Sequence, residues 1–181
     1  MNVAGREGML GELNFDDVNV SEDRILGDLH SAFYDAMDFL SLGRMEIAAR
    51  AIGSSEFLLE EAIDYANERE AFGQPIGAFQ QVSSKIAKGR ANVFAAKNAG
   101  RRCAQLLDEG KSVIEETSSL KWFATNTLWN VADATIQIHG ANGLAEENPY
   151  VDLLHTARIF RIVEGTDEIQ LNTIAKQNGL L

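Results

Sequence analysis

Two prolines, Pro75 and Pro149, are the only ones in 181 residues, and apolar side chains recur at helical spacing on either side of them. Proline removes a backbone donor and clashes with the preceding turn, so its scarcity leaves long helices uninterrupted. After the polar segment SEDRILGD, the positions Phe33, Met37, Leu40, Ile47, Ala48, Ile52, Leu59, Ala62, Ile63 and Ala66 predict one long amphipathic helix ending near Arg69. Gly73, Pro75 and Gly77 in EAFGQPIGAFQ break it into a compact turn edged by Phe72 and Phe79. A second helix is expected from about Ala78, apolar at Val82, Ile86, Val93, Cys103, Leu106 and Leu107, and ended by Gly110. A third, 113–139, carries Leu120, Phe123, Leu128, Val131, Ala134 and Ile138 and stops at the glycines of HGANG. Two shorter helices follow at about 150–160 and 167–177. Consecutive long helices joined by short turns run antiparallel, so the expected fold is all-α, an up-and-down helical bundle. One short N-terminal β segment precedes it, because GELNFDDVNV alternates Leu13, Phe15, Val18 and Val20 with polar residues. The expected division is 1–27 for strand and linker and 28–181 for the bundle.

Charge and composition narrow the function. A net charge of −11 argues against a nucleic-acid surface, which needs clustered Lys and Arg to displace counterions. Any anionic ligand must then be met by local arginines. The single cysteine, Cys103, rules out an internal disulfide framework and a Cys-based metal cluster, and its apolar helical setting suits a small core residue. His30 and His155 have no companions at metal-ligand spacing, His139 reads as a partner for the helix C-terminal dipole, and no metal site is expected. No apolar run approaches bilayer length and no secretory start is visible, so the cytosol is the expected compartment, without membrane contact.

The segment IVEGTDEIQ, residues 162–170, sets Glu164 beside a helix start and behind an apolar run. A carboxylate so placed can be partly desolvated and act as a base on a weakly acidic C–H bond. The plainer alternative is an ordinary helix N-terminus, with Gly165 or Thr166 as cap and Asp167 and Glu168 facing the positive end of the dipole. Arg158 and Arg161, three apart, read as a solvated helix stripe. The acidic group Asp108, Glu109, Glu115 and Glu116 reads as an exposed interhelix turn.

Five segments in order, GELNFDDVNV, LGRMEIAARAIG, ANEREAFGQPIGAFQ, QIHGANG and ARIFRIVEGTDEIQ, resemble the C-terminal domain of the flavin-dependent acyl-CoA dehydrogenases. The resemblance runs from about Gly11 to the last helix. It implies FAD as cofactor, with Arg69, Phe72 and Gln80 of the EREAFG turn contacting a flavin bound mainly by a neighbouring subunit. An arginine can pair a pyrophosphate through two parallel hydrogen bonds, and an aromatic ring can support adenine. By the same resemblance Gln137, Gly140 and Asn142 belong to a flavin-contacting loop, in which Ala141 stands where many members have glycine. Thr166 and Glu168 are further FAD candidates, and Arg44 and Gly165 fall beside the acyl-CoA substrate. Asp167 and Leu171 depart from the commoner serine and arginine of the family. Glu164 is implied as the base that removes the α-proton of an acyl-CoA, giving a trans-2-enoyl-CoA. A subset of the family carries its base immediately before the arginine matching Arg44. Gly43 occupies that position here and has no side chain, which leaves the role to Glu164. Partners implied are an electron-transferring flavoprotein as acceptor and further copies of the chain in a homodimer or homotetramer. The family's central β-domain is represented only by the strand-like segment, so the alternative is a non-catalytic helical oligomerisation module or a cut-down remnant.

Overall fold

The long helices appear where apolar periodicity and the two proline-containing breaks put them. The structure, a computed structural model, describes residues 11–180, apart from the side chains of Tyr34, Asp35, Met37 and Asp38. The Met37 position of the expected apolar stripe therefore lies outside the described residues. Helix α1 runs Ala32–Glu68, α2 Gln80–Asp108, α3 Ile114–His139, α4 Tyr150–Phe160 and α5 Asp167–Gln177. Between α1 and α2 lie the two-residue strands β1, Glu70–Ala71, and β2, Gln74–Pro75, followed by a 3-10 turn at Ile76–Ala78. The chain divides into two units, Met1–Leu40 and Ser41–Leu181.

In the first unit, residues 11–20 contain no strand. This corrects the expected N-terminal β segment: alternation alone does not make a strand, which needs a neighbour to pair with its backbone. Leu13, Phe15, Val18 and Val20, the apolar residues of that alternation, are 60–80% exposed. The only regular structure before α1 among the described residues is a 3-10 turn at Glu22–Arg24. The β-pairing instead falls within the second unit, in what reads from sequence as a simple turn. There Glu70 pairs with Pro75 and Ala71 with Gln74, antiparallel. The loop residues Phe72 and Gly73 have φ of +53° and +80°. Both central residues positive is the signature of the tight hairpin turn whose twist matches its strands.

In the second unit, α3 is the central element, packed against α2, α4 and α5. Its acidic first turn, Glu115 and Glu116, faces the positive end of the helix dipole, and Gly140 ends it at φ +60°. The core is built from Ala48, Ala51, Leu58 and Leu59 of α1, Val93, Ala96 and Cys103 of α2, Leu120, Ala124, Leu128, Val131 and Ala132 of α3, and Tyr150 and Ala157 of α4. Its small residues let helices approach closely. At Gly89 of α2 a β-carbon would stand 2.6 Å from Leu59 Cδ2. Buried hydroxyls on α3 close onto backbone carbonyls: Thr117 Oγ1 donates to Val113 at 2.7 Å, and Thr135 Oγ1 donates across to Leu58 of α1 at 3.2 Å. No helix among the described residues is long and apolar enough to cross a membrane.

Leu128 is completely buried at the centre of this packing. Leu128→Ala is expected to lower unfolding free energy by about 2–5 kcal/mol through lost burial and a residual cavity, read by urea denaturation.

Candidate functional site

After α4 the chain adopts two consecutive left-handed residues, Glu164 at φ +54° and Gly165 at φ +91°. Glycine takes such angles freely, but a glutamate there costs about 1–2 kcal/mol and must be held by its surroundings. Three groups hold it. Gln170 Nε2 donates to the carbonyls of Glu164 at 3.0 Å and Gly165 at 2.9 Å. Lys121 Nζ donates to the same Gly165 carbonyl at 2.6 Å. Thr166 caps α5, its hydroxyl accepting from the Ile169 N–H at 3.4 Å.

The exit of α4 and the entry of α5 are also clamped. Arg161 Nε donates to Asp167 Oδ2 at 2.7 Å, the Asp167 N–H donates to the Arg161 carbonyl at 3.1 Å, and the guanidinium lies 5.9 Å from the Trp129 ring centroid. Arg161 is thus no member of a solvated stripe, unlike the exposed Arg158. Sequence spacing could not reveal this because its partner carboxylate arrives only when the turn brings α5 back. Asp167 likewise does more than face a dipole.

The turn presses the Glu164 carboxylate against α1. A β-carbon at Gly43 would stand 2.6 Å from Glu164 Oε2 and 2.9 Å from its carboxyl carbon. Beside it Arg44, only 4% exposed, donates from Nη1 to Ser118 Oγ at 3.2 Å, while its Nε finds no partner. Burial pulls the Arg44 guanidinium below its ordinary range, and the charge of Glu164 opposes that shift. Lys121 is completely buried and its ammonium is pushed down to about 8, chiefly by burial. Asp167 and Glu164 act against that shift, and Arg44 and Arg161 add to it. The arrangement is a half-buried carboxylate on a strained backbone, flanked by two desolvated cations. Glu168 projects outward, its carboxyl held below the usual range by the Thr166 hydroxyl and its own backbone N–H.

Three of the expected residues, Arg69, Gly140 and Asn142, gather at the far end of α3. Tyr65, Arg69, Ile76, His139, Gly140 and Asn142 line a groove of about 440 Å³. Gly140 leaves its groove side open, since nothing lies within 4 Å of where a β-carbon would stand. Asn142 Nδ2 donates to the Tyr65 hydroxyl at 3.4 Å. His139 occupies the last turn of α3, as expected of a dipole partner, and it is buried there. Its Nδ1 meets the Thr135 carbonyl at 2.8 Å, its ring stacks on Tyr65 at 4.3 Å, and its Nε2 lies 3.3 Å from the Tyr150 hydroxyl. Tyr150 donates to Glu61 at 2.8 Å, and burial with that bond raises the phenol to about 12.

Phe72, 96% exposed at the hairpin tip, meets Phe79 edge-on at 6.1 Å, while Gln80 and Gln137 are exposed outside the groove lining. Glu164, Gly165, Arg44 and Gly43 therefore form one cluster, and Arg69, Gly140 and Asn142 another. The eighteen helical steps of α3 from Lys121 to His139 place the two roughly 27 Å apart, at about 1.5 Å per residue. Lys121 and Gln170 were not anticipated as site residues. A signal existed for Lys121: it lies three residues before Ala124 and seven before Leu128, on the buried stripe of α3, where a lysine needs a specific partner.

Comparison with known proteins places the fold in a family. The family described as acyl-CoA dehydrogenase, C-terminal domain, matches residues 32–179. An acyl-CoA dehydrogenase of Bacillus subtilis is 39% identical over 91% of this chain and 44% of its own length. A subunit of the caffeyl-CoA reductase-Etf complex of Acetobacterium woodii is 33% identical over 93% of this chain and 45% of its own. The solved butyryl-CoA dehydrogenase of Megasphaera elsdenii superposes with a TM-score of 0.87 at 34% identity, covering 91% of this chain and 43% of that one. The chain thus spans less than half the length of these relatives, and within that span the helical bundle and the match over residues 32–179 agree on one assignment: it belongs to the acyl-CoA dehydrogenase family, whose C-terminal domain it carries.

Proposed function

We propose that this chain forms the C-terminal part of a flavin-dependent acyl-CoA dehydrogenase, in which Glu164 removes the α-proton of an acyl-CoA thioester on the way to the trans-2-enoyl-CoA. The observation that carries this reading is the Glu164 carboxylate, held on a left-handed turn against the bare backbone of Gly43. The same contact favours Glu164 over a base on α1, because a side chain at position 43 would occupy the space of its carboxylate.

An α-proton is too weakly acidic for an unaided carboxylate, so the thioester oxygen needs donors as charge moves onto it. Among the described residues the Glu164 N–H has no intramolecular acceptor, which suits it to donate to that oxygen. Glu164 would then act twice, taking the proton on its side chain and donating from its backbone. Arg44 and Gly165 border the substrate. The buried charges of Arg44 and Lys121 keep the neighbourhood electropositive, which favours an enolate-like charge.

The residues present suit FAD: an exposed arginine at a groove mouth, a glycine with an open face and an exposed phenylalanine match a pyrophosphate joined to an aromatic ring. Arg69, Phe72, Gln80, Gln137, Gly140 and Asn142 would hold the flavin of a neighbouring subunit, and Thr166 and Glu168 the one beside Glu164. The bound cofactor supplies the hydride acceptor for the carbon next to the one deprotonated. The separation of the two clusters along α3 supports a homo-oligomer in which each copy serves two flavins. The remaining walls of the pocket would come from polypeptide outside residues 1–181, and residues 1–27 would lead in from it. An electron-transferring flavoprotein is the acceptor this reading expects, and the Etf-complex relative supports it.

The native protein, purified with whatever polypeptide completes it, is expected to be yellow and to bleach on adding acyl-CoA; a colourless oligomer indifferent to FAD would mean a non-catalytic helical module. Glu164→Gln keeps the shape and removes basicity, so bleaching should slow by about 10²–10⁴-fold with FAD retained. Undiminished turnover would remove Glu164 from the mechanism. Gly43→Ala should displace the carboxylate and slow bleaching on the order of 100-fold, while helix propensity changes stability in the opposite sense, by about 0.5–1 kcal/mol in favour of folding. Thermal melting and turnover of the same preparation read the two effects separately.

A further inference from the structure

Lys121 is the largest side chain of the described residues to be completely buried, and the chemistry proposed above gives it no proton to transfer. Burying an ammonium is costly unless it is paired and bonded, so a lysine at this place needs a reason. Its one hydrogen bond is to the Gly165 carbonyl, at 2.6 Å. That carbonyl belongs to the residue immediately after Glu164, in the only pair of adjacent left-handed residues between α4 and α5. Gln170 reaches the same oxygen at 2.9 Å, so two buried donors converge on it from α3 and α5.

We propose that Lys121 is a positioning residue for Glu164: through the Gly165 carbonyl, its buried ammonium anchors the left-handed turn to α3 and so fixes where the carboxylate points. The catalytic consequence rests on the reading of Glu164 as the base, but the mechanical coupling does not.

A charge-assisted bond to a carbonyl is shorter and stronger than a neutral one, so the anchor depends on the proton that Lys121 carries. The charges facing that ammonium are Asp167 at the start of α5, Glu164 in the turn, Arg44 on α1 and Arg161 at the end of α4. The two carboxylates favour the proton and the two guanidinium groups oppose it, while burial outweighs all four. With Lys121 lowered from 10.5 to about 8, the anchor weakens within a mildly alkaline range in which a surface lysine stays charged. The sign for stability follows. Between pH 8 and 10.5 the unfolded chain binds more protons than the folded one, so global stability contributed by this group rises with pH, and its cost is fully present below about 8. Stability and anchoring therefore move in opposite directions across one window.

Carbon-detected NMR of the Gly165 carbonyl in the native protein tests the coupling without any turnover. The wild-type carbonyl shift is expected to titrate with a midpoint near 8, to be flat in Lys121→Met, and to stay at its low-pH position in Lys121→Arg. A wild-type carbonyl that does not titrate, or a titration that survives in Lys121→Met, overturns the proposal. The wild-type curve alone decides the matter if neither variant folds. In the flavin-loaded protein Lys121→Met should lower kcat about tenfold or more with KM little changed, and Lys121→Arg should restore part of it. An unchanged kcat with the carbonyl titration lost would show that the anchor does not position the base. If Glu164→Gln keeps full activity while the carbonyl still titrates with Lys121, the assignment of the base fails and the coupling stands.

Discussion

The carbonyl of Gly165 is where the structure concentrates its constraints. A glutamate in the left-handed region is an unstable arrangement by itself, and an isolated chain would relax out of it. Here the strain is confined between Lys121 on α3 and Gln170 on α5, both completely buried, and between Arg161 and Asp167, which join the end of α4 to the start of α5. The turn is therefore a tertiary product of three helices rather than a local motif. Its geometry is inherited by the carboxylate that rests on Gly43.

Helix α3 explains why such a turn can be held. It packs on α2, α4 and α5 and contributes both the apolar centre, Leu120 to Ala132, and the polar atoms that secure each end. Near its start Lys121 and Ser118 meet the Glu164 turn and Arg44. At its end His139 is packed between Tyr65 and Tyr150 and leads into the open glycine of the groove. One rigid rod thus carries two polar stations roughly 27 Å apart. Small residues along α1 and α2, such as Ala48, Ala51, Gly89 and Ala96, let their backbones come close enough to bury it. Hydrogen bonding at the first station is incomplete: Arg44 Nε, Asp167 Oδ1 and Gln170 Oε1 are buried without a partner, all three around the same turn. Buried polar atoms left without partners are uncommon in a folded interior, and their gathering at one turn sets it apart from the rest of the packing.

Periodicity and punctuation made the five helices legible in the sequence, with α4 and α5 at the expected bounds and the others within two residues of them. Cys103 is the small core residue its setting suggested. The alternation in residues 11–20 misled, because a strand depends on a partner that pattern does not supply, and the paired strands at Glu70–Pro75 were read only as a turn. Of the candidate site, Glu164 and the HGANG loop stood out through their local settings and the family resemblance, and Arg44 through the resemblance alone. Lys121, Gln170 and the Arg161 clamp did not, since each acts through a contact with a residue distant in sequence or across the turn.

The sequence by itself determined where helices begin and end, which faces are apolar and which family the chain resembles, because those features are local or repeat along one chain. Tertiary structure decided that Glu164 occupies a left-handed turn against Gly43, that Arg161 is clamped rather than solvated, and that a lysine is completely buried beneath that turn. These outcomes depend on where separate helices meet, and the free energy of a buried charge or a strained peptide is set by the groups that surround it in space.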